Sequence, residues 1–551
     1  MQKSTPIDEI EDMDKFPIET SASTTVTRSR VGVSGTVKLT AGKIIYVPTP
    51  TADPRDPLNF SKWQKALIII ILSIFATIGN SLVTGIGGIL GFYKDEYFAA
   101  GKTQTDLTHL ISYPEPRTKN DKKSIRALGN LIGMPLAYAV GRRVVFLVSS
   151  IILPLTAALC AGAKTYEWHL AARLVMGLAA GQAEALVPLI TQEIVFLHER
   201  GTYLMIQNAL QSIIAAVVVL FAGPIAGAIT PQWWYGLGAS LAGLSFVLAI
   251  FFVPETKYAR SLSSFQETDS GGESEKGDFS SEEIEVATEK PPLDFERYAP
   301  RTWASDLRLW VGRPEWDVGF DMLKHTCQLF LFPNISWAMF LNGLVLGVNV
   351  AVGSVYGTIV TSAPYNWPNS SASYVNCGQI ITSALAVPLL GFGSDKLIAW
   401  FAKRRGGYHE PEVRLIPLVL PMIIGTFTCV LFGQGGAHPD QYHWFTYVWG
   451  VAAYYFTFIA VTITVITYLL DSYPQRAGSV LICICAFRGI IGFGVVYAIT
   501  PFVEHNGYDG AFGTFGGLTF AFAVLGVPVY IWGKRIRHFT GRWVRDHEEP
   551  R

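Results

Sequence analysis

An apolar run over residues 170–195 carries Arg173 and Glu184 deep inside it, with Glu193 at its end, and the two inner charges constrain the fold more than any other feature of the chain. The run is long enough to cross a bilayer, for which a helix needs about 20 mostly apolar residues. Positions eleven apart differ by only about 20° around a helix and lie about 16 Å apart along it. Both charges therefore share one face, with Gly177 and Gly181 between them. An arginine inside a membrane costs on the order of 3 kcal/mol on insertion scales, so such a face turns inward. Two readings follow: an ion pair that locks neighbouring helices, or a polar site inside a transport pathway. The small residues between the charges let another helix approach closely.

Half of the 551 residues are apolar and 16% are charged, well below the roughly 25% of soluble chains. A polytopic membrane protein is expected. The formal net charge of zero points to no nucleic-acid partner. Six cysteines (Cys160, Cys327, Cys377, Cys429, Cys483, Cys485) are scattered without metal-ligand spacing and read as packing residues; neither a metal nor a cofactor is expected. The polar N-terminus has no early apolar stretch, so the first membrane helix is expected to act as the targeting signal.

Five segments follow from the distribution of apolar and polar residues. Residues 1–64 read as a disordered cytoplasmic tail, 65–253 as a six-helix bundle, 254–334 as a cytoplasmic linker, 335–533 as a second six-helix bundle and 534–551 as a basic cytoplasmic tail. Spans are expected near 66–92, 107–140, 144–163, 168–193, 204–229 and 233–253, then near 335–360, 375–398, 413–433, 443–470, 479–500 and 512–533. The fold class is an all-α membrane protein of twelve helices in two pseudo-symmetric halves. Basic residues (Arg142, Arg143, Arg200, Lys403, Arg404, Arg405, Arg476) fall on the side of the N-terminus, and few fall opposite, so both termini are expected in the cytoplasm. Asn369-Ser370-Ser371, in an outer loop, is a glycosylation triplet. Span two is interrupted by residues 115–126, which hold seven ionisable side chains. Burying these at about 3 kcal/mol each is untenable, so the block is expected to be foreign to the helix, a retained intron or wrong splice junction.

Polar residues recur on single faces of several spans. Ser73, Thr77, Asn80 and Thr84 form a stripe on span one; Asn342, Asn349, Gly353 and Tyr356 form one on span seven; Thr457, Thr464, Tyr468 and Asp471 form one on span ten. For each, cavity lining competes with bonding to the helix backbone. Arg488 lies within span eleven, with Asp471 as one possible partner in a structural clamp. Arg142 and Arg143 open span three and Glu193 closes span four, so Glu193 is a candidate partner for Arg142. Such end-of-helix pairs act either as gates that differ between states or as topology-setting charges alone.

Ala172-Arg173, Gly177, Gly181, Glu184, Pro188 and His198-Glu199-Arg200-Gly201-Thr202 together resemble the fourth helix and following loop of fungal major facilitator superfamily transporters, in the twelve-span drug:proton antiporter-like branch. The resemblance covers residues 54–260 well and 296–535 more loosely. Gly141-Arg142-Arg143 resembles the end of the superfamily's loop signature, with Tyr138 and Ala139 standing in place of its Asp-Arg; the second-half counterpart keeps Asp395-Lys396. Gly223-Pro224-x-x-Gly227 resembles the core of the antiporter signature. Ser112-Tyr113-Pro114 and Gly129-Asn130-Leu131-Ile132 resemble segments that in family members are joined by an apolar stretch.

The resemblance implies proton-coupled efflux of a small organic compound (a drug, polyamine or fungal secondary metabolite) from a monomer in the plasma membrane, with Glu184 exchanging the proton and Arg173 tuning it. Its partners are then a small-molecule substrate, protons and the lipid bilayer. Import of a nutrient or cation, and a receptor that kept the fold without transport, are the alternatives. No nucleophile–base pair or phosphate loop stands out, so an enzyme is not expected.

Overall fold

A computed structural model describes residues 37–38, 50–102, 110, 125–258, 293–298, 300–309, 314–368, 371–404, 408–473 and 476–545. The polar block at 115–124, the acidic stretch 259–292 and Asn369 lie outside the described residues.

Nine helices among the described residues are long and apolar enough to cross a membrane. The last of them, Ala477–Thr540, has 64 residues; at about 1.5 Å per residue it is roughly three times the thickness of a bilayer core. It therefore contains two crossings, and Gly507 turns the chain between them with a φ of +73° that disfavours any other residue. Two shorter apolar helices, Leu131–Val140 and Tyr374–Leu390, complete the twelve.

In chain order, span one is Lys62–Thr84, continued as Ile86–Ala99; span two is Ile125–Val140; span three is Arg142–Ala161; span four is Tyr166–Ile194. Span five is Leu197–Leu220 with the short helix Ala222–Ala228, and span six is Pro231–Phe252. Spans seven, nine and ten are Pro333–Thr361, Pro411–Ala437 and Phe445–Ser472; span eight runs through Cys377–Ala386, the wider turn Val387–Phe392 and Gly393–Arg404. Eleven and twelve share Ala477–Arg545. The start of span one is fixed locally: Ser61 and Gln64 exchange side-chain to backbone hydrogen bonds in a capping box. Thr165 caps span four through the Trp168 N–H, and prolines open spans six and seven at positions whose N–H needs no partner. Apart from a two-residue antiparallel ladder, Val37–Lys38 with Tyr408–His409, the described chain is helical, as the all-α expectation holds.

Spans one to six pack among themselves, with four at the centre against one, two and three; spans seven to twelve do the same, with ten against seven, eight and nine. Burial follows this arrangement: 78% of the span-four window and 83% of the span-ten window are buried, against 28% for spans five and six. The two halves meet where span two faces span eleven and span five faces span eight.

Two features depart from the expected helices. Span one is interrupted at Gly85, where a Cβ would stand 2.6 Å from the Trp234 ring and 2.6 Å from the Ser81 carbonyl. The close passage of Trp234 on span six is what requires glycine there. The expected linker contains the short turn Trp303–Asp306 and the longer helix Trp316–Leu329. That longer helix lies between the halves at the end of the molecule where span one begins. Gly319 packs on the Pro135 carbonyl of span two, while the Ser479 hydroxyl and Cys483 thiol of span eleven donate to its Met322 and Thr326 carbonyls. Beside it, the Arg301 guanidinium sits 4.0 Å over the Phe60 ring and ties the linker to the lead-in of span one.

Candidate functional site

A cavity of about 270 Å³ lies between the halves, lined from spans one, four, five, seven, eight, ten and eleven. Glu184 and Arg488 stand in its wall, and their carboxylate and guanidinium meet at 2.9 Å. Span four and span eleven come from different halves, so this ion pair joins them. Asn80 and Thr84 of span one and Asn349, Gly353 and Tyr356 of span seven also line it. Thr84 also donates to its own helix at Asn80 O.

Several expected site residues lie elsewhere. Arg173 does not reach Glu184. Its guanidinium donates to Leu82 O (3.1 Å), Val83 O (2.8 Å), Leu110 O (3.1 Å) and the Tyr235 hydroxyl (2.9 Å). Three helical turns separate the two charges, and the interruption of span one at Gly85 presents carbonyls to the arginine instead. Arg173 is thus a clamp among spans one, two, four and six. Its network continues: the Tyr235 hydroxyl accepts from Arg173 and is hydrogen-bonded to His169 Nε2 at 2.9 Å, and His169 Nδ1 is hydrogen-bonded to the Tyr97 hydroxyl, also at 2.9 Å.

Asp471 is not the partner of Arg488. It pairs with Arg414, because it ends span ten where span nine begins, whereas Arg488 lies about three turns inside span eleven. Asn342 is buried and accepts from the Thr462 hydroxyl at 3.1 Å instead of lining the cavity. Tyr468 is fully buried and does not line it either. On span ten the cavity takes the other stripe, Tyr455, Ile459, Thr462 and Ile466, and Thr457 donates to Pro421 O inside its bundle. Sequence reading also missed the polar stripe Asn208, Gln211 and Ser212 on span five and the pair Asn376 and Gln379 on span eight. The helical spacing of the span-five residues was the available signal.

At the end where the chain's spans begin and finish, Arg142 meets Glu193 at 2.9 Å. The Glu193 carboxylate also accepts from Thr256 (2.7 Å), and Glu255 accepts the first N–H groups of span three from Arg142 (3.0 Å) and Arg143 (3.2 Å). A carboxylate at a helix N-terminus is favoured by the exposed N–H groups and the helix dipole. Arg143 donates to Ile250 O (2.7 Å) and Arg308 O (3.1 Å), tying span three to span six and the linker. The second half repeats the plan at span nine: Arg414 with Asp471, and Glu412 with the fully buried Arg537 at 2.7 Å. Between the halves, Tyr138 carries Arg142 at 4.2 Å over its ring and packs on Gly478 of span eleven, where a Cβ would stand 2.3 Å from its hydroxyl.

Gly223 and Pro224 sit in the short helix Ala222–Ala228, which follows a break at Phe221; Gly227 lies against Phe92 of span one. Asp395 lies on Gly393–Arg404, and its side chain is outside the described residues.

The sequence model of the Major Facilitator Superfamily matches residues 125–493. An MFS-type transporter of Schizosaccharomyces pombe is 27% identical, over 91% of this chain and 89% of its own length. The efflux pump FUBT of Fusarium oxysporum is 24% identical, over 85% of this chain and 71% of its own. Among solved structures, the proton:xylose symporter XylE superposes with a TM-score of 0.54 at 14% identity, covering 84% of this chain and 95% of its own; this likeness concerns the fold. The superfamily comprises membrane transporters of small molecules, not enzymes. With two-thirds of its length matched, this multi-pass membrane chain belongs to the major facilitator superfamily.

Proposed function

We propose that the protein exports a small organic compound in a proton-coupled cycle, taking it up in the cavity between the halves and binding and releasing the proton at Glu184. The observation that carries this reading is the Glu184–Arg488 pair in the cavity wall. The pair is a titratable acid and a base in the wall of a cavity, on the seam between the halves. The efflux pump among the relatives supports export. In this reading the Arg142–Glu193 cluster and the Tyr138–Gly478 contact close the inner side and part when the cavity opens inward. Both termini are then cytoplasmic, the membrane is the plasma membrane and the working unit is a monomer, with 1–64 and 254–334 as cytoplasmic segments.

Comparison of metabolites inside and outside cells with and without the gene tests the reading. A compound that accumulates inside on deletion supports export; one depleted inside supports import with protons, the second reading, which the same ion pair serves.

A further inference from the structure

Among the described residues, one acid and one base carry the charge of the cavity wall. Among the described residues that line it, Glu184 and Arg488 are the charged ones; Tyr356 on span seven and Tyr455 on span ten are the other ionisable side chains. The Cys485 thiol of span eleven donates to the backbone carbonyl of Glu184 at 3.2 Å. Spans one, five and eight bring amides and hydroxyls to the wall, including Asn80, Asn208, Gln211 and Gln379.

A guanidinium keeps its charge throughout the physiological range. When Glu184 accepts a proton, the site therefore becomes one charge more positive. The side chains of Glu184 and Arg488 are only 10% and 7% exposed, and an unbalanced charge at such a place is costly. A solute that brings a carboxylate restores the balance. Added to the ionised pair, the same anion would leave a negative excess, and an amine would leave a positive one. Proton and anion thus promote each other's binding, and linkage makes that promotion mutual.

We propose that the cavity takes small organic acids, with the solute carboxylate on Arg488 in the state where Glu184 is protonated, so that proton and anion occupy the cavity together. The assignment rests on the cavity and proton site proposed above and names their substrate class. A volume of about 270 Å³ lies at the small end of ligand sites, and the amides suit an acid bearing hydroxyl, carbonyl or ring-nitrogen groups.

The test uses the purified full-length protein and thermal unfolding with three probes on one skeleton: nicotinate, nicotinamide and 3-(aminomethyl)pyridine, each at pH 5.5 and 7.5. Nicotinate is expected to raise Tm at pH 5.5, with apparent affinity falling about tenfold per pH unit. Glu184→Gln, which fixes the neutral form, is expected to bind nicotinate equally at both pH values. Arg488→Gln is expected to lose that binding, and Arg488→Lys to keep part of it, which separates lost recognition from lost folding. Preference for the amine or amide overturns the acid assignment while leaving a solute cavity in place. Nicotinate binding that survives in Arg488→Gln, or a folded wild type that binds none of the three, overturns it as well. A pH response of binding that is identical in wild type and Glu184→Gln overturns the proton site on which the assignment rests.

Discussion

Glu184 of span four and Arg488 of span eleven meet at 2.9 Å in the cavity wall, a charged link between the two halves of the molecule. Removing one partner of a buried pair leaves the other charge poorly balanced, at a cost of about 3–5 kcal/mol, whereas removing both often costs far less. Arg488→Gln is therefore expected to lower Tm sharply and the double change Glu184→Gln with Arg488→Gln to recover most of the loss. A thermal-shift double-mutant cycle measures this; additive losses would show that the pair is not coupled.

Arg173 holds carbonyls of Leu82, Val83 and Leu110 and the Tyr235 hydroxyl. Its loss should act on structure, not on proton exchange. Arg173→Ala is expected to cost about 3 kcal/mol of stability, with residual transport keeping the wild-type pH profile. A changed pH profile would return Arg173 to the proton pathway.

Gly478 has no room for a side chain beneath Tyr138. Gly478→Val should wedge spans two and eleven apart and raise inward accessibility of the cavity, read as faster labelling of a cysteine placed at Asn349. Adding Tyr138→Ala should reverse the effect. Unchanged labelling in Gly478→Val would remove this contact from the gate.

The two end-of-helix pairs differ in burial: side-chain exposure is 20% for Glu193 and 2% for Asp471. Solvent screens the first more than the second, so Asp471→Asn is expected to cost about 3 kcal/mol or more and Glu193→Gln about 1–2 kcal/mol. Unfolding of the two variants side by side checks the order.

All but the last two residues of the block 115–126 precede the matched region, which opens at 125. If the block is an unremoved intron, sequencing of the transcript will recover a shorter message joining Pro114 to the apolar stretch that follows. A message containing the block intact would refute the splice explanation.

Much of the fold was legible because bilayer thickness fixes helix length and apolar runs of that length are distinctive in a sequence. Arg142 and Glu193 stood out for a similar reason: charges at facing ends of neighbouring spans can be paired from chain order alone. The partner of Glu184 was not legible, since Arg488 comes from the other half and no local period links them. On span ten both stripes carry hydroxyls, and spacing cannot tell Thr462, on the cavity, from Thr457, bonded to Pro421 O in the core. The interruption at Gly85 depends on Trp234, a residue of another span. It redirected Arg173 from the cavity to the carbonyls of span one.

The central claim is that Glu184 carries the coupled proton. Flux of the solute identified by metabolite profiling, measured in everted vesicles with and without an imposed pH gradient, tests it most directly. Wild type should show flux that the gradient changes several-fold, while Glu184→Gln should keep flux down the solute's own gradient and lose the response to pH. An undiminished pH response in Glu184→Gln would contradict the account.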